Sequence, residues 1–594
     1  MKNFKTIFLA IILLGLFNSC SEFEEEFLDA PAKSSLDESV IFSTPGLAKG
    51  AVDGILERMG QTNSYRGRYI PYYGFNTDTE YNYRSSNVGD AGGELCNYDA
   101  DPNNTQMNSD NNAWAMMFAG IERANICIRG LRNFGNPEPD TELGQLLGAA
   151  LTYRAIYYAD LMKTWGDVPA RFEPINSETI YLEKTSRDII YKQLLQDLEE
   201  AATLVAWPNE TSATATVERV NRAFVKGFRA RLALAASGFQ RYPDAVRRSD
   251  DPDLSVNNMY RIALDECRDV INSGKAHLEP SFETFWRNFN EEKVNAGGES
   301  LWEIPFAAGR GRVNFSFAVR HRSVDQYTGQ PRGGTAGALP TVWYDFDESD
   351  TRREVTCVPY QWGNAVDGVS QQELTGLETW YFGKYRYEWM TRYVTSTNDD
   401  GINWMYMRYA EVLLMAAEAA NELEGPAAAA PYLKEIRMRA FPSALHNEKV
   451  DNYVNALSSK QEMFDAIVNE HMYEFTGEML RKQALIRWNL LSTNLDVAKA
   501  KLTDLQNRTG EYADVPTTLY YKYEDDNETL DIYGLNRGET VDQGAEYSAQ
   551  SWDPLLDDEI NSIYVGNVDD RQFWPIWQVF IDGSNGKLVN DYGY

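Results

Sequence analysis

Apolar residues recur three and four positions apart along several long stretches of this chain, the period of a helix that buries one face. The clearest stretch is Asn112 to Leu131, where Trp114, Met117, Phe118, Ile121, Ala124, Ile128 and Leu131 form one stripe. A turn at Gly135 to Thr141 separates it from Leu143 to Lys163, with Leu143, Leu147, Ala150, Tyr157 and Leu161 on one face. Gly and Pro in Trp165-Gly166-Asp167-Val168-Pro169 stop that helix, since neither continues a helical backbone readily. Ser186 to Val205, Asn221 to Ser237 and Met259 to Ser273 repeat the pattern, the last closed by Gly274. An earlier helix starts at Thr44-Pro45-Gly46, with Thr44 as N-cap and Pro45 at the first helical position, and runs to about Met59. Beyond residue 403 the period returns in Met407 to Leu423, breaks at Gly425-Pro426, and resumes in Ala427 to Arg439. Ser459 to Leu490 supplies one or two more helices.

Two regions lack this period. Tyr65 to Asp110 is rich in Tyr, Asn, Asp and Gly, and Ala276 to Asn403 shows only short strand-like runs such as Ser300 to Phe306 between Gly-rich loops. The tail from Ser492 to Tyr594 also reads as loop-rich. Helical pairs joined by short turns predict a mainly α fold with tetratricopeptide-like stacking, although the repeats are too degenerate for the period alone to establish it. The scaffold then occupies about residues 44–60, 110–275 and 405–492, and the loop-rich face about 61–110 and 276–403, followed by a tail over 493–594. Long ordered loops on such a scaffold often carry function.

The N-terminus says where the protein resides. Lys2 and Lys5 precede an apolar run from Ile7 to Phe17, too short to span a bilayer comfortably, so residues 1–19 read as a signal peptide. Leu16-Phe17-Asn18-Ser19-Cys20 resembles a bacterial lipobox, which makes Cys20 the expected lipidation site and the anchor to a membrane. Residues 20–26 then form an acidic tether, and the body follows from 27 to 594 as one expected domain.

Composition narrows the chemistry. Over 594 residues, Lys and Arg number 56 against 88 Asp and Glu, a formal charge of −32. Such a surface repels phosphate backbones and argues against nucleic acid as a partner. The five cysteines include no Cys-x-x-Cys pair, so a disulfide framework is not expected. The four histidines are scattered, and no zinc-protease, nucleophile-elbow or P-loop motif occurs. No cofactor is expected; Asp345 to Asp350 faintly resembles a calcium loop but lacks its turn glycine, and a structural calcium stays open only on that ground. A glycoside hydrolase needs just two carboxylates at the right spacing, so that class remains an alternative to a non-catalytic protein. The chain holds 35 Tyr, 14 Trp and 26 Phe; Tyr and Trp combine an apolar ring with a polar edge, as a sugar-binding surface requires.

Several segments, in order, resemble the SusD/RagB family of outer-membrane lipoproteins of the Bacteroidetes. They include Phe27-Leu28-Asp29, Trp114 with Ile121 to Asn125, Arg154-Ala155, Trp165 to Pro169, Ser186-Arg187-Asp188 and Asp197 to Ala201. Glu299 to Ile304, Asp350 with Arg352, Met407 to Leu414, Ile436 to Ala440, and Glu470 with Glu474-Phe475 and Glu478 continue the series. The chain departs from the family pattern at Glu470-His471, Pro575-Ile576-Trp577 and Asn590 to Tyr594. The resemblance implies a tetratricopeptide-like scaffold with a loop-built ligand face and no catalysis. It further implies a SusC-like TonB-dependent transporter as partner, on which the lipoprotein sits as a lid and to which it delivers glycan or peptide. The acidic tether fits export to the outer face of the outer membrane.

Candidate ligand contacts fall in the loop regions. Asp78, Tyr81, Tyr83, Arg84 and Tyr98 lie in the tyrosine-rich first loop region, where rings stack on sugars and polar groups bond hydroxyls. Arg310 and Arg312, with Phe315 and Tyr327 beside them, belong to a basic island from Gly309 to Gly334 that contains a single acid, Asp325. Its guanidinium forks suit an acidic sugar or an acidic partner rim. Trp362, next to Gly363, completes the set, while Trp380, Tyr381, Tyr385 and Tyr387 are expected to be structural.

Overall fold

The computed structural model describes residues 37–395, 400–539 and 544–594. The signal segment, Cys20, the tether and Phe27 to Pro31 lie outside these residues.

Five of the long helices begin where a short polar side chain caps them. Asn112, Thr141, Ser186 and Asn221 each accept a hydrogen bond from a backbone N–H of the first turn, which satisfies donors that the helix leaves orphaned. Ser459 and Glu462 form a reciprocal capping box. The scaffold helices are α1 (Pro45–Leu56), α2 (Ala113–Gly130), α3 (Glu142–Trp165), α4 (Arg187–Leu204), α5 (Arg222–Ser237), α6 (Val256–Ser273), α7 (Tyr409–Glu424), α8 (Pro426–Ala440) and α9 (Lys460–Phe475). From α2 to α6 each packs on the next, α6 packs on α7, and α7 on both α8 and α9. The segment 274–408 between α6 and α7 therefore does not interrupt the stack, and the tetratricopeptide-like arrangement holds across it. One buried cluster extends from Phe42 to Leu588.

The segments of the family resemblance that fall between Glu299 and Glu478 meet in a buried ionic network. Arg352 pairs with Asp350 (2.6 Å), Glu470 (2.7 Å) and Glu474 (2.8 Å). Arg408 pairs with Glu299 (2.8 Å), Glu474 (2.5 Å) and Glu478 (2.7 Å), and Arg439 reaches both Glu299 (2.7 Å) and Glu474. Lys384 bonds Glu478 at 2.6 Å. Burial raises the cost of charge at Glu474, yet Arg439, Arg408 and Arg352 hold its carboxyl well below the usual range. Motifs scattered over almost two hundred residues thus have one physical role: they tie the inserted loops to the helical stack. His471 occupies the departure from the family pattern; burial, with Arg481, Arg487 and Arg408 nearby, keeps its imidazole well below the ordinary histidine pKa.

The loop regions are more ordered than their sequence predicts. Residues 65–110 contain short helical turns and the strand Glu80–Asn82, which heads a four-stranded sheet continuing through Ala336–Ala338, Trp380–Phe382 and Cys357–Val358. A Cβ at Gly337 would strike the Trp380 carbonyl and crowd the Tyr83 hydroxyl, so this strand approaches its neighbours only as glycine. The tail departs furthest from expectation. It opens with the helix Leu491–Asn507, whose buried Leu491, Leu495, Ala498, Leu502 and Leu505 do carry a helical period. A three-stranded sheet follows, with Thr518–Tyr523 between Leu530–Tyr533 and Ser548–Ser551.

Candidate ligand-binding face

Aromatic residues of the loops gather beside the four-stranded sheet. Val319, Val358, Trp362 and Tyr381 form a small buried cluster apart from the main core, and half-buried Tyr83, Tyr327 and Tyr360 pack on it. Three expected site residues, Tyr83, Tyr327 and Trp362, are brought together here from segments almost 280 residues apart. Trp362 belongs to a hairpin of Tyr360–Trp362 with Gln372–Leu374. Its backbone N–H donates to Arg320 O (2.8 Å) and its carbonyl accepts from Arg322 N (3.0 Å). That register turns Arg320 and Arg322 outward on the same surface, where both guanidiniums lie close enough to lower the pKa of Tyr381 against the effect of its burial. Arg322 pairs with Glu373 at 3.3 Å, but both side chains remain more than 40% exposed, so the pair stays open to solvent and exchange.

Beneath the surface, Trp362 is 3% exposed and stacks on His321 with ring centroids 5.9 Å apart, while the Tyr327 ring tilts against that of Trp362 at 4.8 Å. His321 is buried between the carboxylates of Asp325 (2.7 Å) and Glu388 (3.8 Å). Burial disfavours its charge, but the two acids outweigh that and raise its pKa above the ordinary histidine value. The imidazole, set between the two acids, ties the loop 321–328 to the segment carrying Glu388. The expectation that Trp362 offers its ring to a ligand is therefore corrected: it is the floor on which Tyr327 rests.

Other expected contacts are structural. Tyr81 is 1% exposed and shares a 2.6 Å hydrogen bond with Ser562, so neither ring face is available. Tyr98 is buried with its hydroxyl donating to Asn76 O (2.8 Å) and its ring under Lys482. Arg84 is consumed by a two-point pair with Asp90 (2.9 and 3.0 Å) and a bond to Tyr72. Asp78 accepts both Arg481 nitrogens (2.8 and 2.6 Å) and Asn494, which keeps its carboxyl below the usual range despite burial. It faces a different cleft, of about 440 Å³, with Tyr344, Tyr473 and Arg537. Arg310 is exposed, Arg312 is half-buried and lies near Gly67, and Phe315 is half-buried with its N–H donating to Asp400 (3.0 Å). In the resembled calcium loop, Asp345 turns to Lys501 and Tyr512, Asp347 to Lys449, and Asp350 to Arg352, so the three carboxylates diverge. Among the described residues no group of three acidic, histidine or cysteine side chains could hold a metal.

Two outward arginines, Arg320 and Arg322, were legible only as members of the basic island; strand parity around the Trp362 pairing decides which of its guanidiniums face out.

A sequence profile described as "SusD family" matches residues 292–594. The chain belongs to the SusD family. A second profile, "Starch-binding associating with outer membrane", matches residues 26–234. SusD-like protein P25 of Formosa agariphila is 24% identical over 512 residues, covering 82% of this chain and 90% of that protein. The crystal structure of a SusD homolog from Bacteroides thetaiotaomicron superposes with a TM-score of 0.72 at 17% identity, over 94% of this chain and 99% of that one. Surface glycan-binding protein A from the same species, solved in complex with laminarihexaose, superposes at 0.60 with 18% identity, over 92% and 99%. Both structures share the fold of this SusD-family chain. Among the described residues no helix is long and apolar enough to cross a membrane.

Proposed function

We propose that this SusD-family chain is a non-catalytic, lipid-anchored protein of the outer cell surface that captures oligosaccharides. It hands them to a SusC-like TonB-dependent transporter, over which it closes as a lid. The observation that carries the ligand class is the surface formed by Tyr83, Tyr327 and Tyr360 with Arg320 and Arg322: half-buried rings beside exposed forked donors. Rings fixed on a buried floor bind with little loss of side-chain freedom, and guanidiniums bond hydroxyls or carboxylates around them. The laminarihexaose complex of a protein with this fold supports the same class.

Binding is favoured over hydrolysis by the burial of the raised acid beside Tyr83. Glu559 lies beside Tyr83, and burial pushes its carboxyl up to about 8, as a general acid requires. It is only 4% exposed, however, and its position under the aromatic surface keeps it from a bound chain. A peptide receptor with the same lid role is the other reading; it draws on the arginines, which suit peptide carboxylates as well as uronic acids.

Calorimetric titration of the chain from Ser21 onward, against neutral and acidic oligosaccharides and against peptides, tests the proposal. Saturable binding to one sugar class is expected. Binding to peptides alone would transfer the protein to the peptide receptors, and release of reducing sugar would make it an enzyme. The anchor is tested separately: Cys20→Ala should move the protein from the membrane to the soluble fraction.

A further inference from the structure

The C-terminal sheet, hydrogen-bonded to the loop face, carries aromatic residues on its outer side. Strand register places Tyr520 opposite Tyr533 and Lys522 opposite Asp531, with Ala549 opposite Tyr520 on the other side. Successive residues of a strand point to opposite faces. Leu519 and Ile532 therefore turn inward, where they are buried or packed on the core, and Tyr520, Tyr533, Lys522 and Asp531 share the outer face. Tyr547 joins them: its ring meets that of Tyr533 edge-on at 5.2 Å, Lys522 covers it at 4.6 Å, and its hydroxyl bonds Asp531 at 3.3 Å.

This surface is knitted to the loop face rather than attached by a flexible joint. Glu528, in the turn between two of its strands, accepts from Gln326 (2.9 Å) and from the Tyr327 hydroxyl (3.3 Å). Its carbonyl accepts from Gln372 N at 2.9 Å, and the Tyr523 hydroxyl donates to Gln372 O at 3.0 Å. The Trp362 hairpin and the sheet are thus hydrogen-bonded neighbours, and Tyr327 belongs to both.

We propose that the outer face of this sheet is a second contact surface for the same ligand, so that the protein grips an extended oligosaccharide over several units. This rests on the glycan reading above. The chemistry favours a sugar chain over a protein partner: the outer face presents tyrosine rings with an oppositely charged Lys–Asp pair and no aliphatic side chain larger than Ala549. A protein interface centre needs well-packed apolar anchors, whereas rings with satisfied polar edges match alternating CH faces and hydroxyls. The balanced Lys522–Asp531 pair gives no preference for a charged ligand, unlike Arg320 and Arg322.

The test uses the chain from Ser21 onward and graded neutral series, from disaccharide to hexasaccharide, of β-1,3-glucan, β-1,4-glucan, α-1,4-glucan, xylan and mannan. In the native protein, affinity should climb about tenfold or more between the trisaccharide and hexasaccharide of the recognised series. Tyr533→Ala with Tyr547→Ala should abolish that gain and leave trisaccharide affinity unchanged. In the unmodified protein, the hexasaccharide but not the disaccharide should shift tyrosine ring resonances of the sheet, a readout that does not depend on how the variant folds. A variant that keeps the full length dependence, or a hexasaccharide that leaves those resonances unmoved, overturns the second surface alone. A native protein that binds no member of any neutral series overturns this proposal; the glycan reading falls with it when acidic oligosaccharides are not bound either.

Discussion

Neighbouring tyrosines in one loop have opposite fates, and the difference lies in where the strand ends, after Asn82, and in what each hydroxyl meets. Tyr81 points into the body and bonds Ser562, while Tyr83 sits half-buried with its hydroxyl bridging the Trp380 backbone N–H and carbonyl, both at 3.1 Å. Tyr81→Phe should leave ligand affinity unchanged and lower stability by about 1 kcal/mol, the net value of one buried hydrogen bond. Tyr327→Ala should do the reverse, weakening the ligand roughly tenfold with a small change in the urea midpoint. Paired titration and denaturation of the two variants decide this; weaker binding in Tyr81→Phe would mean that the buried side of the first loop region also shapes the ligand surface. Composition could locate the tyrosine-rich region but not the burial of each ring, because burial depends on partners such as Ser562 that lie hundreds of residues away.

At the scale of elements, the sequence was most legible where a helix buries one stripe. α2 to α7 all follow their apolar period, and Ser186, Asn221 and Ser459 cap as their residue types predict. The helix Leu491–Asn507 has the same period, but Thr493, Asn494, Asp496 and Thr503 dilute it with poor helix formers, and packing overrides their propensity. The sheet at 518–551 was illegible for a different cause: its strands are joined by acidic turns and pair out of sequence order, with the first strand in the middle. The motif segments between Glu299 and Glu478 read as family signatures and prove to be ion-pair partners. This gives an element-scale prediction. Glu474→Gln leaves Arg352, Arg408 and Arg439 with less counter-charge inside the protein and should cost about 3–5 kcal/mol, the usual penalty for breaking a buried pair. Urea denaturation with an unchanged slope and a lower midpoint would show it. A loss below about 1 kcal/mol, the scale of exposed pairs, would mean that water reaches the network.

For the whole molecule, the balance of buried acids sets the pH of greatest stability. Burial raises the carboxyls of Glu80 and Glu303 to about 7 and of Glu559 to about 8, from an ordinary value of 4.5. Between 4.5 and those values the folded chain holds more protons than the unfolded chain, so stability falls as pH rises through the window. Glu474 and Asp78 act in the opposite sense: arginine partners keep their carboxyls below the ordinary range, and their contribution is lost as pH falls through the folded values. A formal charge of −32 adds self-repulsion that grows as carboxyls ionise. All of these place the maximum on the acidic side of neutrality, and the urea midpoint should be higher at pH 5.5 than at pH 8. Glu559→Gln should narrow that gap, because the amide stays neutral in both states and removes one titration from the window. A midpoint that rises from pH 5.5 to 8 would show that Glu80, Glu303 and Glu559 find solvent or partners in solution, and that the aromatic surface above Glu559 opens enough to hydrate its carboxylate.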